Sequence, residues 1–252
     1  MGVLELILLI VGVLVGAAVL FASFARTYVF TVYLSGNRKQ ASNGLTGEQA
    51  AQALLNQLDI KDVSVRKLGF FQAVLYGNHY NPRKKTIFLR RNILNKSTVT
   101  ANALAVQKVG LVIQDRNNDK AFKIKAKLQP FIVLAPILFV PLVLVGVAID
   151  IALTSNIGIF SVILGSSAFL FLLLSLIFTL VTIKAENKAN KTAVEIIEQT
   201  NLLEDSEQKR VKRIYKAYLV SYVADFIMSV LYLLRYILRI ATRFKGKGFR
   251  RR

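Results

Sequence analysis

The chain contains no cysteine and a single histidine, His79. The first absence excludes disulfides, a cysteine nucleophile and any thiolate metal site. The second excludes, within one chain, a zinc site built from two histidines and a carboxylate. Acidic residues are also scarce: 14 Asp and Glu stand against 34 Lys and Arg, a formal net charge of +20. That imbalance implies an anionic counterpart, whether lipid headgroups, nucleic acid or an acidic partner. No Gly-rich phosphate loop or serine-nucleophile elbow is present in the sequence. Nucleic acid is the weakest of the counterparts, because no nucleic-acid-binding fold or stacking-aromatic pattern supports it. What fills the chain instead is apolar. Of its 252 residues 54% are hydrophobic, and the mean hydropathy is +0.48. This exceeds soluble-domain usage and predicts a membrane protein.

A helix that crosses a bilayer takes about 20 mostly apolar residues. Residues 3–30 supply the first such run, interrupted by Glu5 and Arg26. The run lacks the basic n-region and short apolar stretch of a cleavable signal, so it predicts a retained anchor. Residues 130–151, with Pro136 and Pro141 inside, and residues 157–183 supply the second and third runs. Prolines are tolerated in membrane helices whose neighbours satisfy the freed carbonyls. Only a short turn around Thr154, Ser155 and Asn156 separates these two runs, which predicts a hairpin. Residues 217–234 form the fourth run and contain Asp225. A carboxylate there is costly unless paired. Arg235 lies too far along the same helix, so a partner on another helix or a water-filled groove is expected.

Basic residues set the orientation. Arg83, Lys84, Lys85, Arg90 and Arg91, then Lys120, Lys123, Lys125 and Lys127, lie between the first and second runs. The N-terminus and the hairpin turn carry none. The expectation is an α-helical protein integral to the cytoplasmic (plasma) membrane, with its main polar domain in the cytoplasm. The fourth run conflicts with this bias, because a full crossing puts the tail "RFKGKGFRR" outside. Arg235, Arg239 and Arg243 recur every four residues on one helical face. That favours a helix that dips into the bundle and then lies along anionic headgroups, which Lys245, Lys247 and Arg250 also contact. The expected organisation is an anchor at 1–34, a cytoplasmic domain at 35–129, a transmembrane hairpin at 130–183, a cytoplasmic helical segment at 184–213, and a membrane or interfacial helix with a basic tail at 214–252.

The domain at 35–129 reads as a small α+β unit. "TGEQ" at 46–49 fits a capping box, and Ala50, Ala51, Leu54, Leu55 and Leu58 follow as a helical stripe. Val63 and Val65 alternate with polar residues as in a strand. "KKTIFLRR" is a second strand, entered from an Asn81-Pro82 turn. Ser97 is placed to cap a helix running through Gln114, in which Val99, Ala103, Val106, Gly110 and Ile113 keep the helical period. Within it, "AVQKVGLVIQ" sets Gln107 and Lys108 among apolar residues. It also holds Gly110, a residue that costs a helix interior roughly 1 kcal/mol relative to alanine. Gln107 and Leu111 stand one turn apart. At this spacing a zinc-peptidase helix places two histidines, with the water-activating glutamate directly after the first.

The chain resembles the membrane-bound neutral zinc metallopeptidases of the YugP type over nearly its whole length. "NGLTGEQAAQALL" is similar to that family's Gly-Leu-Thr-Gly helix start, and "NHYNPRKKTIFL" to its His-Tyr-Asp-Pro-Arg-Lys-Lys strand entry. "AVQKVGLVIQ" occupies the place of Ala-His-Glu-Val-Gly-His-Ala-Ile-Gln. "KAENKANKTA" resembles the segment that carries the third zinc ligand, and "SYVADFIMSVLYLLRYI" the C-terminal Thr-Tyr-Val-Ala helix. By this resemblance the zinc histidines correspond to Gln107 and Leu111, the general base to Lys108, and the third ligand to Glu186. Only Glu186 keeps its type. Catalytic zinc needs three protein ligands and an open water position, so the resemblance implies a degenerate member with neither cofactor nor catalytic residue.

Taken alone, the 107–111 stretch is an ordinary helix with a snorkelling lysine; the resemblance makes it a decayed site kept as a binding surface. Glu186 reads best as a charge just past a membrane helix, beside Lys184 and Lys188. His79, Tyr80 and Arg83 fall near the edge of the implied groove, where an extended peptide can pair. His79 itself reads as a turn residue without a catalytic partner. The leading expectation is a proteolytically inactive, metallopeptidase-like membrane protein that acts as a binding or scaffold subunit, with a protein partner and anionic lipid around it. The alternatives are a zinc metallopeptidase with His79, Glu186 and Asp115 as non-standard ligands, and a structural protein that mainly binds anionic lipid.

Overall fold

The computed structural model describes residues 3–154 and 158–248. The turn residues Ser155 and Asn156 and the basic Arg250 lie outside the described residues, as do the side chains of Pro136, Arg239, Arg243, Lys245 and Lys247. The chain is mostly helical. Its elements in order are α1 (Val3–Asn37), α2 (Gly47–Gln57), β1 (Ser64–Lys67), α3 (Phe70–Leu75), β2 (His79–Asn81), β3 (Thr86–Leu89), α4 (Arg91–Leu94), α5 (Val99–Arg116), α6 (Lys120–Thr154), α7 (Ile159–Thr200) and α8 (Asp205–Gly248).

The three strands form one sheet in the order β1-β3-β2, with β1 parallel and β2 antiparallel to β3. The β2–β3 turn is built locally: the Asn81 carboxamide oxygen accepts from the backbone N–H groups of Arg83 and Lys84, and Lys85 takes a left-handed conformation at φ 46°. Asparagine is suited to this role because its side chain mimics a backbone turn. Val65, Tyr80, Ile87 and Leu89 point from the sheet into the core, where they join Leu54 and Leu55 of α2. The Thr46–Gln49 capping box forms as expected. Leu58 departs from the expected stripe: it is the C-cap of α2 and is exposed. The cap of α5 is Thr98, one residue after the expected Ser97, and its hydroxyl accepts from Ala101 N–H.

Helix α5 is the centre of the fold. Nearly every residue from Val99 to Val112 is buried, as befits a helix that is apolar on most sides. Across it runs α7, whose Ala185, Ala189 and Ala193 are fully buried at helical spacing. Gly110 sits at the crossing. A Cβ placed on it meets the Ala189 carbonyl oxygen at 2.6 Å, so the two backbones approach to a distance that only glycine allows.

Helices α1 and α8 pack along one another through Ala22 and Ala25 against Ala224. Arg26 of α1 donates to Asp225 of α8 at 3.1 Å, which gives Asp225 the partner on another helix that its composition demands. Segments within α1 and α8, Glu5–Asn37 and Asp205–Arg235, are long and apolar enough to cross a membrane. Helices α6 and α7 also pack along one another. The second and fourth apolar runs begin inside helices rather than at their starts. α6 starts ten residues before position 130, and α7 and α8 each pass unbroken from an apolar stretch into a polar one. In particular, α8 has no break after Leu234 at which it turns.

Gly110→Ala is expected to lower thermal stability in detergent by about 1–3 kcal/mol, the usual cost of overpacking. Gly12→Ala, where an added Cβ meets nothing within 4 Å, is expected to leave it unchanged.

Candidate functional site

At the α5–α7 crossing, polar side chains from three helices converge below the surface. Gln107 Nε2 of α5 donates to Glu186 Oε2 of α7 at 2.7 Å and to Asn190 Oδ1, one turn further along α7, at 2.8 Å. Both partners are acceptors, so the amide must present its nitrogen. Lys108 Nζ lies 3.5 Å from Glu186 Oε2. Lys125 of α6 reaches in from the other side and pairs with Glu186 Oε1. The side chains of Lys108, Lys125 and Glu186 retain only 7%, 9% and 6% of their exposure. Two turns further along α5, Gln114 Nε2 donates to the Ala185 carbonyl at 3.0 Å and holds the same pair of helices together.

Ionisation follows from this geometry. Burial opposes a charged Glu186 more than any other single influence favours it. Together, however, Lys108 and Lys125 and their hydrogen bonds prevail, and bring the carboxyl from 4.5 down to about 2. Burial also pushes the Lys108 ammonium below its usual range, with Lys125 adding to the effect and Glu186 opposing it. Two lysine side chains therefore share one carboxylate, and both of its oxygens are engaged.

These contacts correct the reading of Lys108 as a snorkelling lysine: its head is sealed inside. Glu186 lies a few residues past the third apolar run, beside Lys184 and Lys188, and its carboxylate is buried and paired. The sequence also gave no prominence to Lys125 or Asn190. A signal for each existed. Lys125 lies three residues after the buried Phe122 and so on its face, and Asn190 lies one turn after Glu186.

The family described as "Putative neutral zinc metallopeptidase" matches residues 9–241. The chain belongs to that family. The "Putative membrane protease YugP" of Bacillus subtilis (strain 168) is 25% identical over 206 residues, which cover 80% of this chain and 84% of the relative. No solved structure matches the chain.

Measured against the metallopeptidase family's chemistry, the donor set does not fit a catalytic zinc. Gln107 turns its nitrogen, not its oxygen, toward the site. Leu111 is buried in the apolar core and has no lone pair to offer. Glu186 is the one residue of ligand type, and both its oxygens face ammonium groups. Among the described residues there is no group of three or more His, Cys, Asp or Glu able to hold a metal. The non-standard set of His79, Asp115 and Glu186 is not assembled either. His79 Nδ1 bonds the Gly77 carbonyl at 2.9 Å and its ring stacks on Phe88. Asp115 accepts from Tyr80 Oη at 2.9 Å and Lys85 Nζ at 3.1 Å.

A cavity of about 510 Å³ lies beside β2. His79, Tyr80 and Arg83 all line it, with Asp115, Lys123 and Lys127. Burial holds His79 below its usual value there, opposed by the Gly77 carbonyl and reinforced by Lys108 and Lys125.

Glu186→Gln leaves two buried ammonium groups without a counter-ion and is expected to cost about 3–5 kcal/mol. The native carboxyl is lowered by folding, so its stabilisation is present above 4.5 and lost as pH falls toward about 2. Thermal unfolding across that window should therefore be steeper in pH for the native chain than for the variant.

Proposed function

We propose that this chain is a proteolytically inactive member of its family that binds a protein segment without cleaving it and serves as a scaffold in a membrane complex. The observation that carries this reading is the sealing of Glu186 by Lys108 and Lys125. A dication brought to this carboxylate meets two positive charges already in place, in a site from which water is largely excluded. Coulomb repulsion is strongest under those conditions. The position of the general base holds one of those cations, so no carboxylate is available to activate water.

The binding surface is the edge of the small sheet. β2 pairs only with β3, and the cavity runs beside it. An extended segment adds to such an edge through main-chain hydrogen bonds, with adjacent pockets taking alternate side chains. The basic residues of the sheet and of early α6 support a cytoplasmic position for this surface. The apolar lengths of α1, α8 and the α6–α7 pair support insertion in the cytoplasmic membrane, and the relative is itself named a membrane protease.

The full chain purified in mild detergent is expected to carry no stoichiometric zinc, to show no chelator-sensitive peptide cleavage and to retain a protein companion. One zinc per chain with chelator-sensitive cleavage overturns the reading. Restoring the motif by Gln107→His, Lys108→Glu and Leu111→His together is expected to give one tightly held zinc per chain only when Lys125→Ala is added, as read by elemental analysis.

A further inference from the structure

Helix α3 is short, but it carries two bare aromatic rings. Phe70 and Phe71 are 79% and 80% exposed and meet edge to face at 5.7 Å. Leu75, one turn after Phe71, is exposed too. Positions on α1 that the membrane reading assigns to lipid are no barer: Leu20 is 72% exposed and Phe24 67%. The apolar core that joins this domain to α6, α7 and α8 does not include these rings.

The cavity explains where α3 sits. One wall is α3, through Gln72 and Tyr76, and the opposite wall is α6, through Lys123, Lys127 and Pro130. These three α6 positions are spaced four and three residues apart and share a face. They span about 10 Å of helix axis and end at Pro130, the first residue of the apolar run. α3 therefore stands across the cavity from the α6 residues that lead into its apolar run.

The cavity is also cationic. Arg83, Lys123 and Lys127 line it, and among the described residues no carboxylate pairs with any of them. The carboxylate that lines it, Asp115, is already engaged by Tyr80 and Lys85. Exposed Arg66 and Lys67 immediately precede α3. We propose that this cavity binds the phosphate headgroup of an anionic phospholipid, with Phe70 and Phe71 inserted in the bilayer beside it. The guanidinium and two ammonium groups supply charge-assisted donors to phosphate oxygens, and the aromatic pair supplies the apolar contact that a soluble anion does not use. An acidic peptide accounts for the charge but leaves the two rings bare. The inference rests on membrane insertion of α6 and is independent of whether the chain cleaves peptides.

The chain has no tryptophan, so a single introduced indole reports its own surroundings. Full-length Phe70→Trp and, as a bilayer control, Leu20→Trp are reconstituted in phosphatidylcholine bilayers with brominated acyl chains, with and without phosphatidylglycerol. Both indoles are expected to be quenched, and the one at position 70 more strongly with phosphatidylglycerol. Changing Arg83, Lys123 and Lys127 to alanine should abolish that increment and weaken phosphatidylglycerol retention by the detergent-purified chain at least about tenfold. Removing the same charge from exposed Lys209, Arg213 and Lys216 should not. Quenching at position 20 but not at 70 overturns the proposal while keeping the membrane reading; quenching at neither overturns both. Equal affinity for glycerol phosphate without acyl chains overturns it in favour of a free-phosphate site. Binding of an acidic peptide that the cavity substitutions abolish, with lipid retention unchanged, overturns it in favour of a peptide site.

Discussion

The Glu186 carboxylate ties together three helices, and the rest of the site is arranged around that tie. α5 brings Gln107 and Lys108, α6 brings Lys125, and α7 brings the carboxylate itself. Each of these groups is costly to bury alone. They are tolerable together, because both lysines reach the one carboxylate and the Gln107 amide donates to it and to Asn190. The requirement helps to fix the rotation of α5, together with Thr100, Asn102 and Gln114, which donate to the Tyr33, Leu45 and Ala185 carbonyls. It also fixes α6. With Lys125 turned inward, Lys123 and Lys127, two residues either side, face the opposite way at helical periodicity. That is the wall of the cavity beside β2. The sealed site and the open cavity are thus two faces of one helix.

Family membership and chemistry separate at this point. On the proposed reading, the frame of a zinc-peptidase helix persists in the Gly110 crossing and in Gln114, whose side chain donates to the Ala185 carbonyl. Backbone approach and a side-chain hydrogen bond to backbone depend on shape, and they survive a change of chemistry nearby. The ligand positions depend on lone pairs, and those have gone or been turned to other uses. Two ammonium groups now supply the positive charge that holds the carboxylate, so the site closes upon itself. Function is consequently better sought at the sheet edge and at the membrane boundary.

A second charge pair shows the same economy on the apolar side of the molecule. Arg26 interrupts one apolar run and Asp225 another, and each is unfavourable by itself in such a helix. The packing of α1 on α8 through Ala22, Ala25 and Ala224 brings them within 3.1 Å. Small residues allow the approach, and the approach permits the pair.

The sequence by itself determined the classes of element and much of their placement. The capping box at Thr46, the Asn81 turn, the TIFL strand, the α5 frame and the apolar runs all follow from local periodicity and turn chemistry, which are written in neighbouring residues. It also determined that position 111 offers no metal ligand, since a leucine has no lone pair to give in any fold. Only the tertiary structure decided what the remaining polar residues do. Helical period says that Gln107 and Lys108 are adjacent and that Lys125 follows Phe122 by three, but not what those faces meet. Lys125 and Glu186 are separated by 61 residues, and nothing local to either distinguishes a solvated charge from a buried one. That distinction is made by packing, when three helices close over groups that cannot be buried singly.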